Sequence, residues 1–307
     1  MILVFGSINI DLVFPVAELP LEGETVLAES YSTVPGGKGA NQAVAAARAL
    51  AGQNVPVIMV GAVGRDGFAD LALQGLADAG VDLSHIRRSA RPTGCAAIAV
   101  DHRGRNQITV ASGANLDVSA RDVADAALGA DTIVLLQNEV PEDQNLALAR
   151  RAAAAGARVI FNAAPARSMR VEDWAGVLHA LIVNEGELFA LAGSDDAAAA
   201  AALAEQYRTT VVATHGADGA FVCRPDGNAL RIGAMRLERV VDTTAAGDCF
   251  VGVLASALRE GEDLASALRR ASVAAGLACT RPGAQTSLPT RTEILSRLSD
   301  LEPARPL

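Results

Sequence analysis

An α/β fold built on a mostly parallel central sheet flanked by helices is what this sequence predicts. Three observations carry that expectation. Short aliphatic and β-branched runs recur along the 307 residues, a helical pattern follows each, and the runs are continuously apolar instead of alternating. Continuous runs of that length fit strands buried on both faces, as in a parallel sheet covered by helices. A hydrophobic content of 50% supplies material for a substantial core, and the length allows one large domain or two ordinary ones.

Taken in order, strands are expected at Ile2–Phe5 and at residues 55–63, 132–136, 158–162, 180–183 and 209–214. Helices are expected between them at 40–51, 67–79, 141–155 and 195–207, then at 247–259 and 263–279. The alanine run at 197–202 is assigned to helix, because alanine is the best helix former and Leu203 continues the pattern. A hairpin is expected near 220–232, turning at Arg224-Pro225-Asp226-Gly227.

Two stretches break the alternation. Residues 11–31, and 93–111 with a turn at His102-Arg103-Gly104-Arg105, read as antiparallel strands and hairpins too short to form an independent domain. The expected division is an α/β core of residues 1–10, 34–92 and 112–307, with a discontinuous β-sheet lid of residues 11–33 and 93–111. No long linker and no internal repeat is visible.

A net charge of -9 and a pI near 5.0 would repel a phosphate backbone, and no basic stripe is interleaved with aromatics, so no nucleic-acid partner is expected. The four cysteines are widely spaced and read as reduced core thiols. No basic residue precedes Lys38, Asp11 interrupts the apolar start, and no stretch is long enough to span a bilayer. A cytoplasmic protein with no membrane partner is expected.

The chemistry concentrates in two segments. Of the 26 basic residues only Lys38 is a lysine, and it sits in a glycine-rich stretch together with Asn41. Near the C-terminus, Val241-Asp242-Thr243-Thr244-Ala245-Ala246-Gly247-Asp248 leads into an apolar helix. Small residues before a helix let the amides of Ala245, Ala246 and Gly247 approach an anion, and the unpaired first-turn N–H groups favour negative charge there. This is a phosphate cradle. On position alone, Asp248 could equally serve the helix dipole or the cap. A carboxylate beside phosphates would repel them unless it had a task, and the natural one is to take a proton from an attacking hydroxyl. No G-x-x-x-x-G-K-[ST] occurs, because Gly39 follows Gly37-Lys38, and no G-x-G-x-x-G follows the first strand, which weakens P-loop and dinucleotide readings.

On these residues the chain resembles the ribokinase-like, or PfkB, family of carbohydrate kinases over nearly its whole length. Gly6-Ser7-Ile8-Asn9-Ile10-Asp11 is similar to the family's opening sugar motif, Gly36-Gly37-Lys38-Gly39-Ala40-Asn41-Gln42-Ala43 to its first signature, and Asp242 to Asp248 to its second. The resemblance implies ATP-dependent phosphorylation of a sugar primary hydroxyl, D-ribose to D-ribose 5-phosphate first, with Asp248 as general base. It implies a sugar pocket of Asn9, Asp11, Gly37, Lys38, Asn41 and Glu139, and nucleotide contacts at Asn184, Thr214, Gly216 and Ser272. Asn184-Glu185-Gly186-Glu187 is similar to the family's N-x-x-E motif, implying that Asn184 and Glu187 act on the phosphates through Mg²⁺ and its waters. An activating K⁺ is implied at Asp242, Thr244, Cys279, Gly283 and Ser287.

Departures from the family pattern at Ile10, Asn138 and Ser272 leave Asp248 untouched and bear on which sugar is used. Other kinases of the family, for fructose, deoxyribose, a phosphosugar or a nucleoside, remain alternatives, as does a sugar-sensing protein without catalysis. An aromatic content of 3%, with only Phe14 and Tyr31 near the lid, argues against stacking a nucleoside base. A phosphosugar would want an extra arginine such as Arg103 or Arg105. A homodimer formed through the lid strands is expected, since exposed strand edges are often covered by another subunit.

Overall fold

The computed structural model describes residues 1–307, apart from the side chain of Val171. In chain order the strands are β1 (Ile2–Phe5), β2 (Asn9–Val16), β3 (Ser32–Gly36), β4 (Val57–Val63), β5 (Ile86–Arg88), β6 (Gly94–Asp101) and β7 (Asn106–Ala111). They continue as β8 (Ile133–Gln137), β9 (Arg158–Asn162), β10 (Ala180–Asn184), β11 (Thr210–Thr214), β12 (Ala220–Cys223), β13 (Ala229–Ile232) and β14 (Arg305–Pro306). The helices are α1 (Lys38–Ala49), α2 (Phe68–Asp78), α3 (Glu142–Ala154), α4 (Val171–Trp174), α5 (Glu185–Ala192), α6 (Ala197–Tyr207), α7 (Ala246–Arg259), α8 (Leu264–Ala278) and α9 (Arg291–Ser296).

Ten strands form one sheet in the order β14-β13-β12-β11-β10-β9-β8-β1-β4-β5. Every pairing from β11 through β5 is parallel, and the antiparallel strands β12 to β14 close one edge. The apolar runs explain this. Along β1, Ile2 and Val4 pack into the layer of α1, α2, α7 and α8, while Leu3 and Phe5 pack into the layer of α3 and α6. Successive side chains point to opposite faces, so a strand covered on both must be apolar throughout.

Local signals set the helix starts. Asp196 caps α6 through Ala199 N–H at 2.8 Å, so the alanine run is helical as expected, and Asp263 caps α8 through Ser266 N–H at 3.0 Å. Two features begin differently. No side chain caps α1 or α7, whose N-cap residues are Gly37, at φ 92°, and Ala245, at φ 59°. A non-glycine residue in the left-handed region is uncommon and costs conformational energy, which marks the start of α7 as functionally constrained.

Four strands make a second, smaller sheet in the order β3-β2-β6-β7. The sequence reading differs here in pattern. β2 and β3 overrun residues 11–33 at both ends, β2 pairs in parallel with β6, and residues 17–31 form no strand. Pro20 lacks an N–H, and Glu18, Glu22 and Glu24 favour solvent, so this stretch cannot continue a ladder. The β6–β7 hairpin turns where expected, with Asp101 accepting from the amides of Arg103 and Arg105 and from the Arg105 guanidinium. The short α4, α5 and α9 were not anticipated; they are too brief to show helical periodicity.

Close backbone approach places α1 against the end of β1. A Cβ on Gly39 would lie 2.7 Å from the carbonyl carbon of Gly6 and the amide of Ser7, both backbone atoms. Gly39→Ala is therefore expected to cost about 1–3 kcal/mol through overpacking, read as a lower urea midpoint with unchanged m-value.

Candidate active site

The site forms where α1 and α7 meet beyond the carboxyl ends of the parallel strands, the edge at which open α/β sheets bind ligands. A Cβ on Gly252 would sit 2.5 Å from the carbonyl of Gln42, so small residues let the two helices pack closely. Asp248, in the first turn of α7, thereby reaches the first turn of α1. Asn41 Nδ2 donates to Asp248 Oδ2 and Gln42 Nε2 donates to Oδ1, each at 3.0 Å. Asp248 is 8% exposed.

Burial raises the Asp248 carboxyl above its ordinary value; the Lys38 ammonium and the two amide donors pull against it, and the Glu139 carboxylate pushes it up again. The balance leaves the Asp248 carboxyl raised above its ordinary value, a shift in the direction that makes a carboxylate a better proton acceptor. Around Lys38 the same forces reverse. Burial alone would lower its pKa, but the carboxylates of Asp248, Glu139, Glu187 and Asp11 outweigh burial and raise it. The single lysine is thus the counter-charge for four carboxylates, and no ion pair within 4.0 Å joins it to any of them. Asp11 is pushed up to about 6, first by burial, then by Glu139 and Asp248, with Lys38 opposing.

The other residues expected to hold a sugar lie together. Ser7 Oγ donates to Glu139 Oε2 at 2.5 Å, and the amide of Lys38 donates to the same oxygen at 3.1 Å. Asn9 pairs with Gly36 across β2 and β3, and a Cβ on Gly37 would lie 2.8 Å from the Asn9 amide nitrogen. A Cβ on Gly36 would strike Asp11 Oδ2 at 2.3 Å, so glycine here admits the carboxylate. Asn41 Oδ1 is buried without a hydrogen-bond partner, an acceptor the protein itself leaves open.

At the start of α7 the amide of Ala246 donates to the Thr243 carbonyl at 3.2 Å. Of the three amides expected to cradle an anion, those of Ala245 and Gly247 remain without a backbone acceptor. Further along the strand ends, Asn184 and Thr214 are register partners across β10 and β11, and Gly216, at φ 44°, follows. Ser272 is buried on α8, which packs against α7.

Asn184 and Glu187 form a reciprocal cap on α5: Asn184 Oδ1 accepts the Glu187 amide at 2.8 Å and Glu187 Oε2 accepts the Asn184 amide at 2.9 Å. Burial is the main cause raising Glu187, with Asp248 adding to it and the Asn184 amide and Lys38 opposing. A partly desolvated carboxylate with one oxygen held and the other unengaged fits an Mg²⁺ reached through water. The monovalent-cation residues also cluster. Asp242 Oδ1 accepts from the Thr244 amide and hydroxyl, and Oδ2 accepts the Gly283 amide at 2.8 Å, tying the two loops together. Oxygens of Asp242, Thr244, Gly283 and Ser287 suit a hard cation. Cys279 lies in the same cluster, where its carbonyl accepts the amides of Val241 and Asp242.

Sequence reasoning passed over several contacts. Asn115, buried, accepts the Ile8 amide at 2.9 Å and donates to Asn9 Oδ1 at 2.7 Å. Gln137 and Asn162, at the ends of β8 and β9, join Gln42 behind Asp248. A polar residue closing an apolar strand was the available signal for those two; Asn115 carried none. His215 lies against Phe221 with ring centroids 4.6 Å apart.

The model of the pfkB family carbohydrate kinases matches residues 1–291. The chain is 38% identical over 302 residues to a ribokinase of Bacillus subtilis, covering 97% of this chain and 99% of that one. Its fold is similar to that of a ribokinase of Thermotoga maritima, with a TM-score of 0.88 and 34% identity over 97% of this chain and 99% of the other. An Arabidopsis thaliana ribokinase solved with ribose and ATP gives a TM-score of 0.85 at 31% identity, covering 97% and 98%. Signatures, site geometry and these likenesses converge: the chain belongs to the pfkB family of carbohydrate kinases.

Proposed function

We propose that this kinase transfers the γ-phosphoryl group of ATP to the primary hydroxyl of D-ribose, giving D-ribose 5-phosphate, with Asp248 as general base. One observation carries the reading: a buried carboxylate at the mouth of α7, gripped by two amides, opposite the only lysine and beside the open acceptor of Asn41. A polyol needs several fixed donors and acceptors, and Asn9, Asp11, Gly37, Lys38, Asn41 and Glu139 supply them. Asn115 donates to Asn9 Oδ1, so Asn9 turns its NH₂ toward the sugar. Asp248 takes the hydroxyl proton as the oxygen attacks phosphorus in line, and the amides of Ala245 and Gly247 receive the growing negative charge.

Asn184, Thr214 and Gly216 hold the nucleotide phosphates and ribose, with Ser272 near the adenine. Asn184 and Glu187 would hold Mg²⁺ through its waters, and the ion would neutralise charge on the phosphates. An activating K⁺ held by Asp242, Thr244, Cys279, Gly283 and Ser287 would fix the loop that shapes the anion site. The small sheet acts as a lid of residues 11–33 and 93–111 over a core of the remaining residues, excluding water on closure. Ile108 and Val110 on the edge strand β7 are 51% and 48% exposed, an apolar edge that a second copy of the lid would cover.

Asp11 gives a test of the sugar pocket. Its pKa, raised from 3.8 to about 6, means the folded state binds the proton more tightly than the unfolded one. The stability this provides is complete below about 4 and is lost as pH rises through about 6, on the order of 3 kcal/mol. Asp11→Asn should therefore raise the melting temperature at pH 7.5 while raising the sugar KM at least about 10-fold, since a bidentate acceptor is lost.

Coupled ADP release across a sugar panel with ATP, Mg²⁺ and added K⁺ tests the function. Ribose should give the highest kcat/KM. A higher value for deoxyribose or fructose would reassign the substrate, and sugar binding without turnover would remove the kinase reading.

A further inference from the structure

Gln42 belongs to the glycine-rich signature, yet the sugar and nucleotide roles above leave it without a task. It is fully buried on α1, behind Asp248 and away from the sugar-facing groups. Its amide is engaged on every side. Nε2 donates to Asp248 Oδ1 at 3.0 Å and to Asn162 Oδ1 at 3.1 Å, while Oε1 accepts from Gln137 Nε2 at 2.8 Å. Asn162 is oriented in turn by donating from Nδ2 to the Ile182 carbonyl at 3.3 Å.

We propose that Gln42 is a positioning residue for phosphoryl transfer: its amide, set in one orientation by Asn162 and bonded on its other side by Gln137, fixes the Asp248 carboxylate and favours its ionised form. The proposal rests on Asp248 being the base. Reversing the Gln42 amide would set Oε1 against the carboxylate and against Asn162 Oδ1. Two repulsive contacts would replace two hydrogen bonds, so only the donor can face Asp248. The sequence makes room for this relay at Gly6, where a Cβ would fall 1.8 Å from Gln137 Oε1. Asn145 Nδ2 anchors the backbone carbonyl of Gln137 at 2.7 Å. Gln42 and Asn41 thus take one carboxylate oxygen each, and a hydrogen bond to an ionised group is the stronger kind.

Other charges also face Asp248: Lys38 on α1, Glu139 after β8, Asp11 on β2, Glu187 on α5 and, on its own helix, the Cys249 thiol. They are unchanged in a Gln42 variant, so a moved titration reports the lost donor. The experiment is the pH profile of kcat at saturating sugar and ATP for wild type, Gln42→Met and Gln137→Met. In Gln42→Met the acid limb should move up by about one pH unit, with kcat at neutral pH about 10-fold lower and largely recovered at high pH. Both KM values should stay within about 3-fold. Gln137→Met should shift the limb in the same direction by less. A pH-independent fall, or an acid limb left in place, overturns the proposal even if the melting temperature drops. Should neither variant fold, the side-chain amide resonance of Gln42 in the wild-type protein must follow the acid limb; a resonance flat in pH overturns it equally. Full turnover in Asp248→Asn would instead refute the base itself, so the two failures are distinguishable.

Discussion

Asp248→Asn is expected to lower kcat by about 10²- to 10⁴-fold while ATP still binds. The substitution keeps the side chain's shape and removes its basicity. It also replaces one acceptor oxygen with a donor facing Asn41 or Gln42. Gln42 is held by Asn162, itself oriented by the Ile182 carbonyl, and does not turn, whereas Asn41 can, because its Oδ1 is without a partner. Rotating that amide presents an acceptor to the new NH₂, so the variant should fold. Removing a buried carboxylate whose pKa is raised should leave it at least as stable as wild type at neutral pH. Nucleotide affinity by calorimetry, beside kcat by coupled ADP release, checks both halves. Near-normal turnover would take Asp248 out of the mechanism.

Lys38→Met should reduce kcat/KM for the sugar by about 10²- to 10³-fold, the range seen when a preorganised electrostatic group is removed from an active site. The ammonium is the shared counter-charge of Asp248, Glu139, Glu187 and Asp11. Without it the carboxylates of Asp11, Glu187 and Asp248 lose a pull toward the ionised form, so the acid limb of the rate profile should move to higher pH. The sign on stability follows from the raised lysine pKa. Its contribution is present below 10.5 and is lost only as pH rises through the higher folded value, so at pH 7 the variant is less stable. The deficit should shrink as pH falls through about 6, where Asp11 takes up a proton. Lys38→Arg should not restore activity, because a planar guanidinium cannot occupy the place of a compact ammonium. Full activity in Lys38→Arg, measured with pH profiles of both variants, would contradict this account.

Much of the fold was legible because both faces of the main sheet are covered. β1 and β9 fall at the expected residues, and α6 is helical through its alanine run. Residues 17–31 were misread because charge and proline there outweigh a weak strand pattern, and the parallel pairing of β2 with β6 has no local signal. Small-residue spacing and the rarity of lysine pointed to Asp248, Lys38 and Asn41, which the structure brings together. The bond of Asn115 to Asn9 and those of Gln42 to Gln137 and Asn162 join separate elements, a matter of hydrogen-bond partners that spacing does not encode.

Contiguous residues were enough for the sheet class, the run of small residues before α7 and the carboxylate in its first turn, because each depends on the local preferences of backbone and charge. Only the tertiary structure decided that Gln42, Gln137 and Asn162 stand behind Asp248, that Asn115 turns Asn9, and that one ammonium answers four carboxylates. Those groups come from separate strands and helices, and their hydrogen bonds and field strengths exist only once the chain has buried them together.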